Sequence, residues 1–284
     1  MSTIQTVAVI GAGTMGQGIA QVAALGGYRT HLRDTSSEIV DRARASIRAS
    51  LGKGVEKGKV TAEARDQTLD RLTTTTSLGE CLRDADLVIE AIPESIDLKR
   101  EMFASVSKLC KPNTLLASNT SSLSITEIAA AAKFPEWVLG LHFFNPVPVM
   151  ELVEIVRGHA TAEPALQLAK EFVATIGKTP IVVQDSPGFA SSRLGITLGN
   201  EAMRMLETGV ASAEDIDRAM ELGYRHPIGP LRLSDLVGLD VRLAITEHLY
   251  RELGTDTFRP PQILRRLVRA GKLGKKSGEG FYKY

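Results

Sequence analysis

The chain has 284 residues, 43% hydrophobic and 24% charged, enough apolar material for a sizeable core; this excludes a peptide-sized scaffold and a disordered chain. Thirty-four Lys and Arg stand against 33 Asp and Glu, a formal net charge of +1 that is too balanced to hold a polyanion, so nucleic acid is not an expected partner. Cys81 and Cys110 form no CxxC pair, so neither a disulfide framework nor a metal site is expected, and a reducing cytoplasm fits.

The opening MSTIQ leads straight into an apolar run from Val7 with no basic leader, and no stretch is long and apolar enough for a membrane span, so neither export nor membrane insertion is expected. Short apolar runs then alternate with longer amphipathic stretches, the pattern of β/α units that build a mostly parallel sheet. The predicted strands are TVAVI (Thr6–Ile10), THLR (30–33), LVIEAI (87–92), TLLAS (114–118), WVLGL (137–141), LVEIV (152–156) and PIVV (180–183). Between the second and third of these, residues 37–72 place Ile39, Ala43, Ile47 and Leu51 at i+4 spacing and then break at a Gly/Lys cluster, which predicts a helical hairpin leaving the sheet.

After QDSPGF (184–189) the alternation stops and helices separated by Gly/Pro turns follow. The expected organisation is a Rossmann-type α/β dinucleotide-binding domain over residues 1–186, with the helical hairpin inserted, followed by an all-α C-terminal domain over residues 187–284. In the second part Leu194, Leu198, Met203, Leu206, Leu231, Leu236, Leu239, Leu243 and Ile245 spread over several helix faces. That is more apolar surface than one small helical domain covers, so a homodimer through this part is expected.

Directly after the first strand stands GAGTMG, which sets Gly11, Gly13 and Gly16 in GxGxxG spacing with Ala12, Thr14 and Met15 between them. The motif follows a strand, opens a helix-compatible run and is answered by Asp34 after the second strand, so it reads as a dinucleotide fingerprint. Gly11 allows the tight turn, Gly13 lets backbone approach the pyrophosphate, and Gly16 lets helix pack on strand. A carboxylate at Asp34 accepts from ribose hydroxyls and repels a 2′-phosphate, which favours NAD, with NADP as second candidate because Arg33 stands beside it.

In an open parallel sheet ligands bind at the carboxyl ends of the strands. The polar residues there are Gly11, Asp34, Glu94, the SNTSS run (118–122) and His142, which are expected to share one cleft. His142 alone of five histidines ends a predicted strand and precedes the turn-forming Asn145 and Pro146; it is the natural general base, whereas His31, His159, His226 and His248 read as structural. Such a base needs a partner that fixes its tautomer, and Glu154, a carboxylate between Val153 and Ile155 inside an apolar strand, fits.

These residues resemble the short-chain L-3-hydroxyacyl-CoA dehydrogenases, including bacterial 3-hydroxybutyryl-CoA dehydrogenases. The likeness covers essentially the whole chain through VIGAGTMGQGIA, IEAIPESIDLKREMF, ASNTSSLSITEIA, GLHFFNPVPVMELVEIVRG, DSPGFASSR, EDIDRAMELGYRHPIGPLRLSDLVGLD and LGKKSGEGFYKY. The resemblance implies His142 as base, Glu154 as its orienting carboxylate and Ser121 as a ligand of the substrate's 3-oxygen. It implies NAD contacts at Asp34, Glu94, Lys99, Ser121, Asn145 and Lys276, substrate contacts at Ser121 and Asn145, and CoA contacts at Ser50 and Lys57 of the hairpin. The implied reaction is reversible oxidation of an (S)-3-hydroxyacyl-CoA thioester. One position departs from the family pattern: PGFxxNR is PGFASSR here, so Ser192 stands where an Asn amide helps bind the reacting oxygen, and a hydroxyl is shorter with one donor in place of two. The rival reading is a dehydrogenase of a free hydroxy acid or sugar acid, of the gulonate dehydrogenase kind. A 3-hydroxyisobutyrate type would use a helical NxxxK lysine, where this chain has Asn200 followed by Arg204. A third reading, from another class, is a protein that binds the dinucleotide without turnover.

Overall fold

A computed structural model describes residues 3–284, in two compact units, one ending at Asp185 and the other beginning at Ser186. In the first unit one eight-stranded sheet runs in the order β3-β2-β1-β4-β5-β6-β7-β8. The strands are β1 (Thr6–Ile10), β2 (Arg29–Arg33), β3 (Leu72–Thr75), β4 (Leu87–Glu90), β5 (Leu115–Ser118), β6 (Val138–Phe143), β7 (Leu152–Arg157) and β8 (Thr179–Gln184). The first six pair in parallel, β6 and β7 are antiparallel, and β7 and β8 are again parallel. β1 and β4 are buried along their whole lengths, which is why they read as continuous apolar runs rather than alternating ones.

The helices of this unit are α1 (Thr14–Leu25), α2 (Ser37–Glu56), α3 (Ala62–Asp70), α4 (Leu78–Leu82), α5 (Ile96–Leu109), α6 (Ile125–Ala129) and α7 (Glu163–Thr175). Val7, Val9, Leu32, Ile89, Leu139 and Ile155 of the strands form one core with Ile19 and Val22 of α1 and Phe172 of α7. Asp185, the last residue of the unit, accepts from Ser124 Oγ and the amides of Ile125 and Thr126, tying its carboxylate to the start of α6.

The expected helical hairpin between the second and third predicted strands is present as α2 and α3: Val40, Ala43, Ile47 and Leu51 of α2 are in the core, and α3 returns the chain to β3, an edge strand that pairs with β2. That LTTT strand was not expected, because three threonines without alternation beside a helix end carry little strand signal. β6 starts one residue later than predicted, since Trp137 closes a 3₁₀ turn over Pro135–Trp137, and it runs on to Phe143, so His142 lies within the strand rather than after it.

The second unit is helical: α8 (Ser191–Glu207), α9 (Ala213–Arg218) continued by a π turn over Ala219–Gly223, α10 (Pro230–Val237), α11 (Leu239–Leu253) and α12 (Gln262–Arg269). Of the apolar residues spread over several helix faces, Met203, Leu231 and Leu239 are buried in this unit's own core, while Leu194 and Leu236 are exposed. Two buried aspartates hold the last segment. Asp235 accepts from the amides of Phe281 and Tyr282 and from Tyr284 Oη, and Asp217 accepts from Leu231 N, Arg232 N and Tyr282 Oη. Among the described residues no helix is long and apolar enough to cross a membrane.

Candidate active site

The loop after β1 is built by glycines with separate duties. Gly11 has φ +102°, and a Cβ on it would stand 2.5 Å from the Ala91 carbonyl oxygen; a Cβ on Gly16 would stand 1.7 Å from the Gly11 carbonyl oxygen. Both therefore serve close packing within the protein. Gly13 differs: a Cβ there would meet nothing within 4 Å, and the residue is exposed. It is also the N-cap of α1, with no capping side chain and no acidic residue in the first turn, so the positive end of a 12-residue helix is left for an outside anion. Asp34 Oδ2 accepts from Ala12 N at 2.7 Å and Oδ1 from Thr35 N at 2.7 Å, which holds the carboxylate at the end of β2 beside the glycine loop. Arg33 Nε donates to the Thr76 carbonyl at 3.2 Å, drawing that guanidinium toward the segment after β3. A glycine surface open to approach, an uncapped helix start and a fixed carboxylate fit a dinucleotide.

At the ends of β4 and β5 the side chains form a connected network. Glu90, 1% exposed, accepts through Oε1 from Lys99 Nζ (2.6 Å) and Ile92 N (2.7 Å) and through Oε2 from Ser118 Oγ (2.7 Å). Three donors on one buried carboxylate offset its desolvation. Glu94 Oε1 accepts from Thr120 Oγ1 at 2.5 Å and Ser121 N at 3.1 Å, and its Oε2 lies 3.4 Å from Lys99 Nζ. The structure thus brings Glu94, Lys99 and Ser121 together. Lys99, expected as a direct cofactor contact, is 1% exposed: its ammonium lies beneath Glu94 and between two carboxylates, so it reaches the surface of the site through Glu94.

The β6–β7 ladder makes His142 and Glu154 register partners on adjacent antiparallel strands. Opposed residues on such strands project to the same face with Cβ atoms close together, and here His142 Nδ1 and Glu154 Oε2 stand 2.7 Å apart. Glu154 is wholly buried and His142 nearly so, which removes the water that would otherwise compete for the pair. The Phe144 ring lies 4.4 Å from the imidazole, and Phe143 N donates to Asn119 Oδ1 at 3.0 Å, tying the end of β6 to the SNTSS loop that carries Ser121.

The other predicted site residues lie as follows. Asn145 is exposed in the turn that follows β6. Ser50, half-buried, and Lys57, exposed, lie at the C-terminal end of α2. Ser192 and Lys276 belong to the second unit, Ser192 in the first turn of α8 and Lys276 in an ion pair with Asp240 at 2.6 Å. Sequence reasoning missed two buried charges of the first unit. Glu90 carries the signal that identified Glu154, a carboxylate inside an apolar strand. Lys178, whose ammonium holds the turn between β6 and β7, carries none.

Residues 6–186 match the family described as 3-hydroxyacyl-CoA dehydrogenase, NAD binding domain, and residues 188–284 match its C-terminal domain. A probable 3-hydroxybutyryl-CoA dehydrogenase of Deinococcus radiodurans is 48% identical over 276 residues, covering 97% of this chain and 99% of its own. The 3-hydroxybutyryl-CoA dehydrogenase of Clostridioides difficile is 45% identical over 277 residues, covering 98% of each chain. Among solved structures, that of the (S)-3-hydroxybutyryl-CoA dehydrogenase from Ralstonia eutropha superposes with a TM-score of 0.96 at 42% identity over 99% of both chains. Matches that run through both units and nearly end to end carry one conclusion: the chain belongs to the 3-hydroxyacyl-CoA dehydrogenase family.

Proposed function

We propose that the chain catalyses the reversible NAD-dependent oxidation of (S)-3-hydroxyacyl-CoA thioesters to 3-oxoacyl-CoA, with 3-hydroxybutyryl-CoA or another short-chain thioester as substrate. The observation that carries this reading is the buried His142–Glu154 pair near the carboxyl end of a strand in a dinucleotide-binding sheet. With Glu154 holding Nδ1–H, Nε2 is the basic nitrogen; it takes the proton of the 3-hydroxyl, and the carboxylate stabilises the imidazolium that results. Bound at the glycine loop, NAD supplies the hydride acceptor.

The remaining roles belong to the same reading. Ser121, whose backbone is held by Glu94, binds the 3-oxygen, and Asn145 borders both substrate and nicotinamide. Gly11, Ala12, Gly13, Thr14, Met15, Gly16 and Asp34 cradle the dinucleotide, assisted by Glu94, Lys276 and, through Glu94, Lys99. Ser50 and Lys57 meet the CoA moiety, where an exposed ammonium suits a phosphate. Ser192 acts on the reacting oxygen through one hydroxyl or a bridging water. A soluble cytoplasmic homodimer, joined through the second unit where Leu194, Leu222, Tyr224 and Leu236 are exposed, completes the picture. Light scattering is expected to give twice the chain mass, and a monomer at working concentration contradicts that part.

The free-acid reading draws on Ser192, the one departure in the site motifs. A lysine-dependent mechanism draws no support, because the Arg204 guanidinium donates to the carbonyls of Asp256, Thr257 and Arg259 and so serves the helical unit itself. The test of the proposed reaction is loss of NADH on addition of acetoacetyl-CoA, with free acetoacetate in parallel. Turnover confined to the thioester supports it, and turnover confined to the free acid overturns it.

A further inference from the structure

The turn between β6 and β7 is the only covalent link along the shortest path from His142 to Glu154, and a buried cation fastens it from below. Helix α7 ends at Thr175 with Ile176 as its C-cap, and Gly177 follows at φ +72°, a left-handed position that reverses the chain and leads into Lys178, whose amide donates to the Val173 carbonyl. The side chain of Lys178, 9% exposed, donates from Nζ to the Val147 carbonyl at 2.7 Å and to the Met150 carbonyl at 2.6 Å. The turn is closed a second time by the amides of Val149 and Met150, which both donate to the Pro146 carbonyl.

Other contacts leave the turn one place to sit. Val147 is 2% exposed and packs over α1 at Gly18, where a Cβ would stand 2.8 Å from the Val147 Cβ. On the far side Thr179 N donates to the Glu151 carbonyl and starts β8. Burial lowers the Lys178 pKa, an effect that Glu151 partly opposes, so the buried charge is held against a desolvation cost. A residue needed only to fill this space would be apolar; an ammonium aimed at two main-chain carbonyls fixes a conformation.

We propose that Lys178 is a positioning residue for the reaction: by clamping the turn it sets where Asn145 stands and keeps the His142–Glu154 strands in register at the end the turn joins. The kinetic part rests on the reaction proposed above, while the clamp itself does not. The test compares the full-length chain with Lys178→Met, which keeps the length of the side chain and removes its donors, by amide hydrogen exchange over residues 144–151, by kcat with acetoacetyl-CoA and NADH, and by the Kd of NADH from fluorescence. The expected result is exchange about tenfold faster in that segment, kcat lower by about 10- to 100-fold, and a Kd within about threefold of wild type. Unchanged exchange, a kcat within about twofold, or a loss of NADH affinity parallel to the loss of kcat overturns the proposal. Should Lys178→Met not fold, Lys178→Gln, which keeps a shorter amide donor, is read by the same criteria. A wild-type chain without thioester turnover overturns the proposed reaction, and the exchange comparison then decides the clamp alone.

Discussion

His142 and Glu154 face each other across the one antiparallel pair of an otherwise parallel eight-stranded sheet, with 2.7 Å between Nδ1 and Oε2 and the carboxylate wholly buried. An antiparallel pairing supplies what parallel neighbours do not: a short turn, so that base and orienting acid come from one hairpin and share one register. Removing the base, as His142→Gln, is expected to lower kcat by about 10² to 10⁴ with NADH affinity near normal. Glu154→Gln keeps the shape and loses the charge, and its kcat is expected to fall within the same range while the melting temperature shows that the hairpin is intact. Near-full turnover in either variant, measured under saturating substrate, contradicts the assignment.

The glycines of the loop after β1 separate a binding role from a folding role. Gly13→Ala adds a methyl group to open space, so thermal melting is expected to be unchanged while NADH affinity drops about tenfold or more, as expected where the backbone must approach a ligand. Gly16→Ala drives a methyl group into the Gly11 carbonyl and is expected to cost about 3 kcal/mol of stability. Equal effects of the two substitutions on melting would contradict this division.

Ser192 stands in the PGFASSR segment where the resemblance implies an Asn. If its hydroxyl serves the reacting oxygen, Ser192→Ala removes one hydrogen bond, and kcat/KM for acetoacetyl-CoA is expected to fall about tenfold. Ser192→Asn, which places the longer amide there, is expected to match or exceed the wild-type value. An alanine variant with unchanged kcat/KM shows that the hydroxyl takes no part.

Alkaline pH is expected to loosen the second unit. Burial first, and then the Asp235 carboxylate to which it donates, push the Tyr284 phenol up to about 12; burial and Asp217 raise Tyr282 in the same direction. A folded-state value raised above the unfolded one means that the folded chain holds its proton longer, so the stability contributed is complete below about pH 10 and is lost as pH climbs toward 12. Melting temperatures between pH 9 and 12 are expected to fall less steeply in Tyr284→Phe than in wild type. Parallel curves would contradict the linkage.

Much of this was legible in the sequence because buried parallel strands and glycine turns are local signals. The run Val7–Ile10, the GAGTMG loop and the carboxylate within LVEIV each announce themselves within a few residues. Leu72–Thr75 did not, because an edge strand of four residues has neither length nor alternation, and its pairing with β2 is decided by the way α2 and α3 fold back. The core position of α2 was equally hidden: i+4 spacing shows that a helix has an apolar face, and tertiary packing decides what that face meets. Glu90 was legible by the logic that found Glu154 and was overlooked beside the more exposed Glu94. Lys178 was not legible at all, since its partners are carbonyl groups some 30 residues away, and a backbone carbonyl leaves no mark in a sequence.

The most direct measurement is the rate of NADH loss on addition of acetoacetyl-CoA to the wild-type chain, run beside NADPH and beside free acetoacetate. The account predicts strong turnover with NADH and the thioester, a slower rate with NADPH, and none above background with the free acid. Failure with the thioester, in a chain that binds NADH and melts cooperatively, would contradict the proposed reaction and direct attention to the free-acid reading and to Ser192.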